Sequence, residues 1–505
     1  MGGNEPREAG RAVDEAPLTA DWRNRTQPAE PALDILYVPV YSPRQPAQSP
    51  LRQCLQAHLA TFVERAEDAG GLPAFVDREL RRHLGCGVLA NGFARVRCDD
   101  CGHDRLVAFS CKGRGFCPSC GGRRMADTAA YLVDAVLVDV PVRQWVLTLP
   151  YWLRRATARD ARLCSRILQI FIDAIGRQLR AYWPSGQHGA VTVIQRFGGG
   201  LNLNPHFHTL VPDGVYREAP TGEIRFSSVP SPTPAQLHQM LQKILAKLRD
   251  HLERMGYGMA QMIDAPVAWH ACLDASIGQR QLLGKHAGAP IEKIGGADPS
   301  EEYSPQPLRA GLEGFTLHAG VTIDALDRPG LERLCRYIAR PAVAQDRVAI
   351  QPNGDITYTL KSPWRDGTTA LTFAPLDFIA RLAALVPPPR ANLVRYHGVF
   401  APAARLRPKI VGQAPNTLAM TMGHKAANNG SKRRRRNLLW AELMRRVFGI
   451  DVLACPQCEG RCRVIACIDD PVVIQKILTH LGLPATGVQL HPARGPPQLD
   501  FVDAV

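Results

Sequence analysis

Long apolar runs are missing from this chain. The most apolar stretch, residues 129–149, is broken by Asp134, Asp139 and Arg143, and a run interrupted in that way does not make a membrane span. Residues 1–32 carry charges and no apolar segment, so the signature of a secretory signal is lacking as well. Aromatic residues are scarce, at 7%. Stacking on nucleic-acid bases would therefore fall to a few side chains such as Trp145, Tyr151, Trp152 and Phe197. Acidic residues are outnumbered: 61 Lys and Arg against 46 Asp and Glu leave a formal charge of +15 over 505 residues. An excess of that size points to a polyanionic partner, nucleic acid before an anionic membrane.

Cysteine, by contrast, is plentiful, with 14 residues in clusters. Without an export signal, clustered cysteines are read as metal ligands rather than disulfides. Cys98-x2-Cys101 is followed after fifteen residues by Cys117-x2-Cys120. Two such turns supply four thiolates for one tetrahedral structural zinc. Cys111 is an extra, either a replacement ligand or a small buried residue. Lys112, Arg114, Arg123 and Arg124 make the surroundings basic. A second group, Cys455, Cys458, Cys462 and Cys467, opens with the same knuckle spacing. Its second pair has four residues between the cysteines, which leaves a second zinc open. Before it comes a run of five cations, Lys432, Arg433, Arg434, Arg435 and Arg436, suited to phosphate contact. An amphipathic helix with Leu438, Leu439, Leu443, Val447 and Phe448 is expected after that run.

Between the cysteine groups, periodicity predicts helices over 159–183, 234–256 and 329–340. Strands are expected in "RQWVLTLPYWL", "AVTVIQRF", "HFHTLVPDGVY" and "GFTLHAGVTI", with a hairpin about Asn353-Gly354. On the histidine strand, Asn202, Asn204, His206 and His208 share one face and Leu201, Leu203, Phe207 and Val211 the other. Two imidazoles one residue apart can chelate one cation. Gln195, on the preceding strand, is the candidate third ligand. Asp213 lies downstream without a further histidine, which argues against a hydrolytic zinc centre. The plain alternative is a pair of hydrogen-bonded histidines.

Tyr337 lies at the border of an apolar stripe formed by Leu331, Leu334, Cys335 and Ile338, beside Arg333, Arg336 and Arg340. A phenol ordinarily ionises near pH 10, so it attacks poorly at neutral pH unless its phenolate is favoured. Guanidiniums favour the phenolate and also grip a phosphodiester. The commoner reading of such a tyrosine is edge-of-helix packing.

Taken together, "VAFSCKGRGFCPSC", "VTVIQRFGGGLNLNPHFHTLVPDGVY", "LCRYIARPAVAQDRV", "LKSPWRDGTTAL" and "RYHGVFAPAARLRPKIV" resemble rolling-circle transposases of the insertion sequence 91 type. These include the insertion-sequence-common-region branch, within the HUH endonuclease superfamily. The resemblance covers roughly residues 50–470. It implies an α+β fold whose antiparallel sheet carries the histidine strand, with helices on one side. It divides the chain into a flexible segment (1–48), a zinc-binding domain (49–138), a catalytic domain (139–388) and a basic C-terminal region (389–505).

The implied chemistry is cleavage and joining of single-stranded DNA at transposon ends and target. His206 and His208 would hold Mg²⁺ or Mn²⁺, and Tyr337 would form a 5′-phosphotyrosine. The protein would work in the bacterial cytoplasm, at the nucleoid. Two-tyrosine members carry a pair at helical spacing, whereas here the positions four away from Tyr337 are Arg333 and Pro341. One site acting twice and two self-associating protomers are both open. Tyr396 is a reserve nucleophile. A plasmid replication initiator or relaxase, and a non-catalytic zinc-containing DNA-binding protein, are the alternatives.

Overall fold

A computed structural model describes residues 44–494 apart from 138, 257–266, 285, 297–307, 412–439 and 459. The Lys432–Arg436 run, with Leu438 and Leu439, lies outside the described residues. Among those described, no helix is long and apolar enough to cross a membrane.

The chain opens with α1 (Pro50–Asp68) and α2 (Ala74–Leu84). Ser49 starts α1 by accepting the Arg52 amide, with Pro50 just inside the helix, a placement that costs no helical hydrogen bond. A short hairpin follows, β1 (Phe93–Cys98) and β2 (Asp104–Ala108), and then α3 (Pro118–Tyr131), which runs into a π-helical turn over Leu132–Val136. After β3 (Val142–Thr148) come α4 (Tyr151–Arg159) and α5 (Ala161–Arg180). The run expected as a single strand, "RQWVLTLPYWL", thus divides. Pro150 cannot donate to a ladder and instead becomes the N-cap of α4.

Strands β4 (Gly189–Phe197), β5 (Leu203–Pro212), β6 (Gly214–Glu218) and β7 (Ile224–Ser228) follow, and then helices α6 (Pro234–Arg254) and α7 (Val267–Gly278). Strands β8 (Glu292–Ile294), β9 (Arg309–Leu312) and β10 (Phe315–Ile323) lead to α8 (Arg328–Ile338), the tyrosine helix. Strands β11 (Val348–Ile350), β12 (Ile356–Thr359) and β13 (Ala370–Phe373) precede α9 (Pro375–Leu385) and β14 (Val394–Gly398). The chain ends in α10 (Arg407–Ile410), α11 (Trp440–Phe448), β15 (Cys462–Ile468) and α12 (Pro471–His480).

The architecture is α+β. Six strands in the order β14-β4-β5-β3-β10-β9 form a fully antiparallel central sheet. Helices cover both of its faces rather than one. Phe207 and Val211 of β5 pack with Trp145 and Leu147 of β3 against α5 and α6. On the other face Val142, Val191, Val193 and Leu210 receive Leu331, Leu334, Cys335 and Ile338 of α8. Both faces are apolar enough to need covering, and the histidine patch is a polar island on the second. Trp145, read above as a stacking candidate, is 2% exposed in the first core.

A buried fork fixes the sheet at the end of β5. Arg143, 3% exposed, donates to both oxygens of Asp213 at 2.8 Å, to the Ala319 carbonyl at 2.8 Å and to Ser231 at 2.6 Å. Asp213 is thereby engaged in structure, away from the histidines. Across the sheet edge, His188 and His397 flank the β4–β14 pairing. Burial is the main cause that pushes each imidazole down to about 4, with neighbouring arginines adding to it.

Both histidines are therefore neutral when folded and bind a proton more readily when unfolded. Their contribution to stability is full above pH 6.5 and is lost as pH falls toward 4. The thermal midpoint is expected to drop by a few degrees over that interval. The part of the drop due to these groups should vanish in a His188→Gln/His397→Gln variant, read by circular dichroism melts at pH 7.5, 6.0 and 4.5. An unchanged pH profile in that variant would remove these histidines from the account.

Candidate active site and metal clusters

Two rungs of the central sheet build the site. Gln195, His206, Thr148 and Thr316 stand side by side on β4, β5, β3 and β10, and Val193, His208, Val146 and His318 make the next rung. Directly paired residues of an antiparallel ladder share a face, as do residues two apart on one strand. His206 and His208 thus point together at the side covered by the tyrosine helix.

Their Nε2 atoms are 3.0 Å apart. That is the cis edge of an octahedron with bonds of ~2.1 Å, the geometry of Mg²⁺. His206 Nδ1 donates to the Asn204 carbonyl at 2.7 Å, which leaves the Nε2 lone pair facing His208. His208 Nδ1 lies 2.7 Å from the Gln144 amide. As placed, the Gln144 Nε2 group donates to it, which leaves the His208 proton on Nε2, directed at His206 Nε2; turning the Gln144 amide over moves that proton to Nδ1 and frees both Nε2 lone pairs for a cation. Burial pushes His206 down to about 4, with Arg340 and Arg154 adding to the effect and the Asn204 hydrogen bond opposing it. His208 is held well below the ordinary imidazole range by burial first, then by His206, Arg340 and His318. Neutral, converging imidazoles fit a divalent cation.

The Tyr337 ring stands edge-on to His208, with centroids 6.1 Å apart and planes at 89°. It is 41% exposed. Arg340 lies 4.7 Å from its centroid and Lys361 5.0 Å, and Arg340 also reaches over Phe197 at 5.6 Å. The Gln195 amide donates to the Ile338 carbonyl at 2.6 Å. It ties β4 to the end of the tyrosine helix, and only its Oε1 remains to face the histidines. Arg333 is exposed and Arg336 half-buried on the same helix. Tyr396 sits apart, opposite Val191 on the edge strand, with its ring packed edge-on to Tyr131.

Tyr151 and Trp152, 56% and 63% exposed, open α4 just beyond Thr148. Arg154 lies 4.1 Å from the Tyr151 ring centroid. Gln144, Arg154, His318 and Lys361 were not legible as site residues beforehand. Each comes from an element whose register or approach cannot be read from spacing.

The cysteines assemble differently from the expectation. Cys98, Cys101, Cys117 and Cys120 do not form one tetrahedron. Cys117 and Cys120 join Cys86 and Cys111, while Cys98 and Cys101 join Cys455 and Cys458. The reason lies in the strands: the β1–β2 hairpin carries Cys98 and Cys101 to one end of its sheet, and the chain returns past Cys86 before Cys117 begins α3. Cys462 and Cys467 belong to neither cluster.

In the first cluster Cys111 and Cys120 sulfurs are 3.5 Å apart and Cys86 and Cys117 sulfurs 3.7 Å. A tetrahedron with Zn–S bonds of ~2.3 Å has edges of ~3.8 Å. All four cysteines are free. The Cys111 amide donates to Cys86 Sγ and the Gly113 amide to Cys111 Sγ, both at 3.4 Å. The cluster fits zinc.

Comparisons with known proteins also find a zinc-binding domain in this part of the chain. Residues 54–149 match the family described as "Transposase zinc-binding domain", of the insertion sequence 91 type, and residues 189–407 match "Putative transposase". The chain thus carries transposase-family sequence over both of these segments. A relative from Sinorhizobium fredii, named "Putative transposase y4qJ", is 24% identical over 387 residues, covering 74% of this chain and 84% of the relative. No solved structure matches. The zinc-domain match holds all four cysteines of the first cluster, Cys86 and Cys111 included. Serine at Cys86 or Cys111 is expected to remove one zinc per transposase chain, measured by metal analysis of purified protein. Full zinc retention in both variants would contradict the grouping.

Proposed function

We propose that this transposase cleaves and rejoins single-stranded DNA through a 5′-phosphotyrosine at Tyr337, in rolling-circle transposition at element ends and target. The observation that carries the reading is the meeting of a helix-borne tyrosine with a neutral, converging histidine pair under Arg340 and Lys361.

In this reading His206 and His208 hold Mg²⁺ or Mn²⁺, with Gln195 Oε1 as the third protein ligand. The cation, when bound, supplies Lewis-acid stabilisation of the scissile phosphate. Arg340 and Lys361 draw the phosphodiester toward Tyr337. Tyr337 Oη gives up its proton to solvent and attacks phosphorus, the bond to the 3′ oxygen breaks, and that oxygen leaves as a 3′-OH after taking a proton from solvent. The phosphate stays esterified to tyrosine, so the energy of the broken bond is retained for joining without ATP. Arg333 and Arg336 extend the phosphate track along the helix, and Lys432, Arg433, Arg434, Arg435 and Arg436 add non-specific affinity. Tyr151 and Trp152 offer exposed rings for base stacking. A single tyrosine requires either sequential use of one site or two self-associated protomers. Action on DNA at the nucleoid, in the cytoplasm, follows from this chemistry.

The test is a denaturing gel of protein incubated with labelled single-stranded DNA from the element's end, with Mn²⁺ or EDTA. A metal-dependent covalent adduct is expected. Tyr337→Phe should abolish it, and His208→Ala should lower its rate by about a hundredfold or more. An adduct that persists in Tyr337→Phe would move the nucleophile elsewhere. Tight binding with no adduct would leave a non-catalytic DNA-binding protein.

Trp152→Ala is expected to weaken single-strand binding by about tenfold, the worth of one stacked base, with zinc content unchanged. Unaltered affinity by fluorescence anisotropy would take α4 out of the strand's path.

A further inference from the structure

Cys98 and Cys101 are separated from Cys455 and Cys458 by some three hundred and fifty residues of sequence, yet their sulfurs meet. Cys98 Sγ is 3.6 Å from Cys458 Sγ, and Cys101 Sγ is 3.6 Å from Cys455 Sγ. All four ligand atoms lie within 4.8 Å of one another, and none of the four is in a disulfide. We propose that these cysteines bind a second zinc ion, and that it clamps the C-terminal segment onto the N-terminal hairpin.

The geometry is that of two facing knuckles. On one side the Gly102 amide closes the turn on the Cys98 carbonyl at 3.2 Å, and Gly102 has the positive φ, 73°, that such a turn needs. On the other, the Gln457 amide donates to Cys455 Sγ at 3.5 Å and the Cys455 amide to the Gly460 carbonyl at 2.8 Å. The knuckles approach so closely that a Cβ on Gly460 would lie 2.0 Å from the Asp100 carboxylate. The sulfur separations match the ~3.8 Å edge of a zinc tetrathiolate.

The rest of the interface is too modest to stand alone. Strand β15 pairs with β1 from Phe93↔Ile468 to Cys98↔Cys462, with an irregularity between Arg95 and Val96. The core beneath it is small, made of Val96, Cys98, Cys455 and Cys462, with Ile474 and Leu478 of α12 on Phe93 alongside. A small module with so little apolar burial needs a staple, and closing so long a loop takes the most entropy from the unfolded chain. The zinc match ends at residue 149, so it assigns half of these ligands no role.

The experiment is metal analysis of the full chain for zinc and iron, combined with limited proteolysis. Wild type is expected to carry two zinc ions. Cys458→Ser and Cys98→Ser should each carry one, and the double variant also one, because both serve the same ion. Cys86→Ser with Cys458→Ser should carry none. Proteolysis of Cys458→Ser should release a C-terminal fragment about tenfold faster than wild type, while the Cys467→Ser control stays resistant. Should Cys458→Ser misfold wholesale, Cys458→His, which keeps a zinc ligand, should restore the second ion and the resistance. Two zinc ions in Cys458→Ser would overturn the proposal, as would iron in place of the second zinc, or one zinc in wild type. Loss of the DNA adduct alone bears only on the catalytic reading.

Discussion

Strand β5 is buried on both faces, and that constraint organises the rest. A central strand flanked by hydrogen-bonded neighbours must satisfy every backbone group in the ladder, so its register is rigid. A slip of one residue would drive Phe207 and Val211 out of their core and turn the imidazoles into it. The register that buries Phe207 also brings His206 beside Gln195 and His208 beside Val193. Precision at the histidines is thus a by-product of core packing on the opposite face, which is how a scaffold holds a site tightly without devoting extra residues to it.

The tyrosine helix depends on the same sheet from above. Its apolar stripe lands on Val191, Val193 and Leu210, and its last turn is caught by the Gln195 amide. Tyr337, at the edge of that stripe, is left half in solvent where a strand of nucleic acid can reach it. Arg446, in α11, adds a second hold, with ion pairs to Glu332 of the helix at 2.8 Å and to Asp134 within the π turn. The C-terminal region therefore bears on the helix that carries the tyrosine, although it lies more than a hundred residues away in sequence. Exposed on their outer sides, these ion pairs contribute modest energy and mainly orientation.

Much of this was legible in residue order. Period-two alternation placed the histidines on one face, and period-3.6 spacing placed Tyr337 at a stripe border; both are local geometry. What could not be read was non-local. Cys86 and Cys111 carry no spacing signal, because their partners are set by how a hairpin folds back. Cys455 and Cys458 looked like half of a self-contained knuckle, because a ladder joining residues 93–98 to 462–468 has no trace in sequence. Trp145 resembled an available aromatic, yet it alternates into the core face of β3. His318 and Lys361 reach the site through register and loop approach, which are tertiary facts.

The pairing of β15 with β1 makes the N-terminal sheet discontinuous in sequence, with the whole central sheet inserted between its second and third strands. During synthesis the first hairpin emerges early and must wait. Its third strand leaves the ribosome only after every strand of the central sheet has been made. Completion of that small sheet is therefore late relative to the central sheet. A product shortened ahead of residue 455 would retain Tyr337 and both histidines while leaving the edge of β1 open to foreign strands. In this molecule two distant segments of the described chain guard one another, and the histidine pair and Tyr337 lie in the span between them.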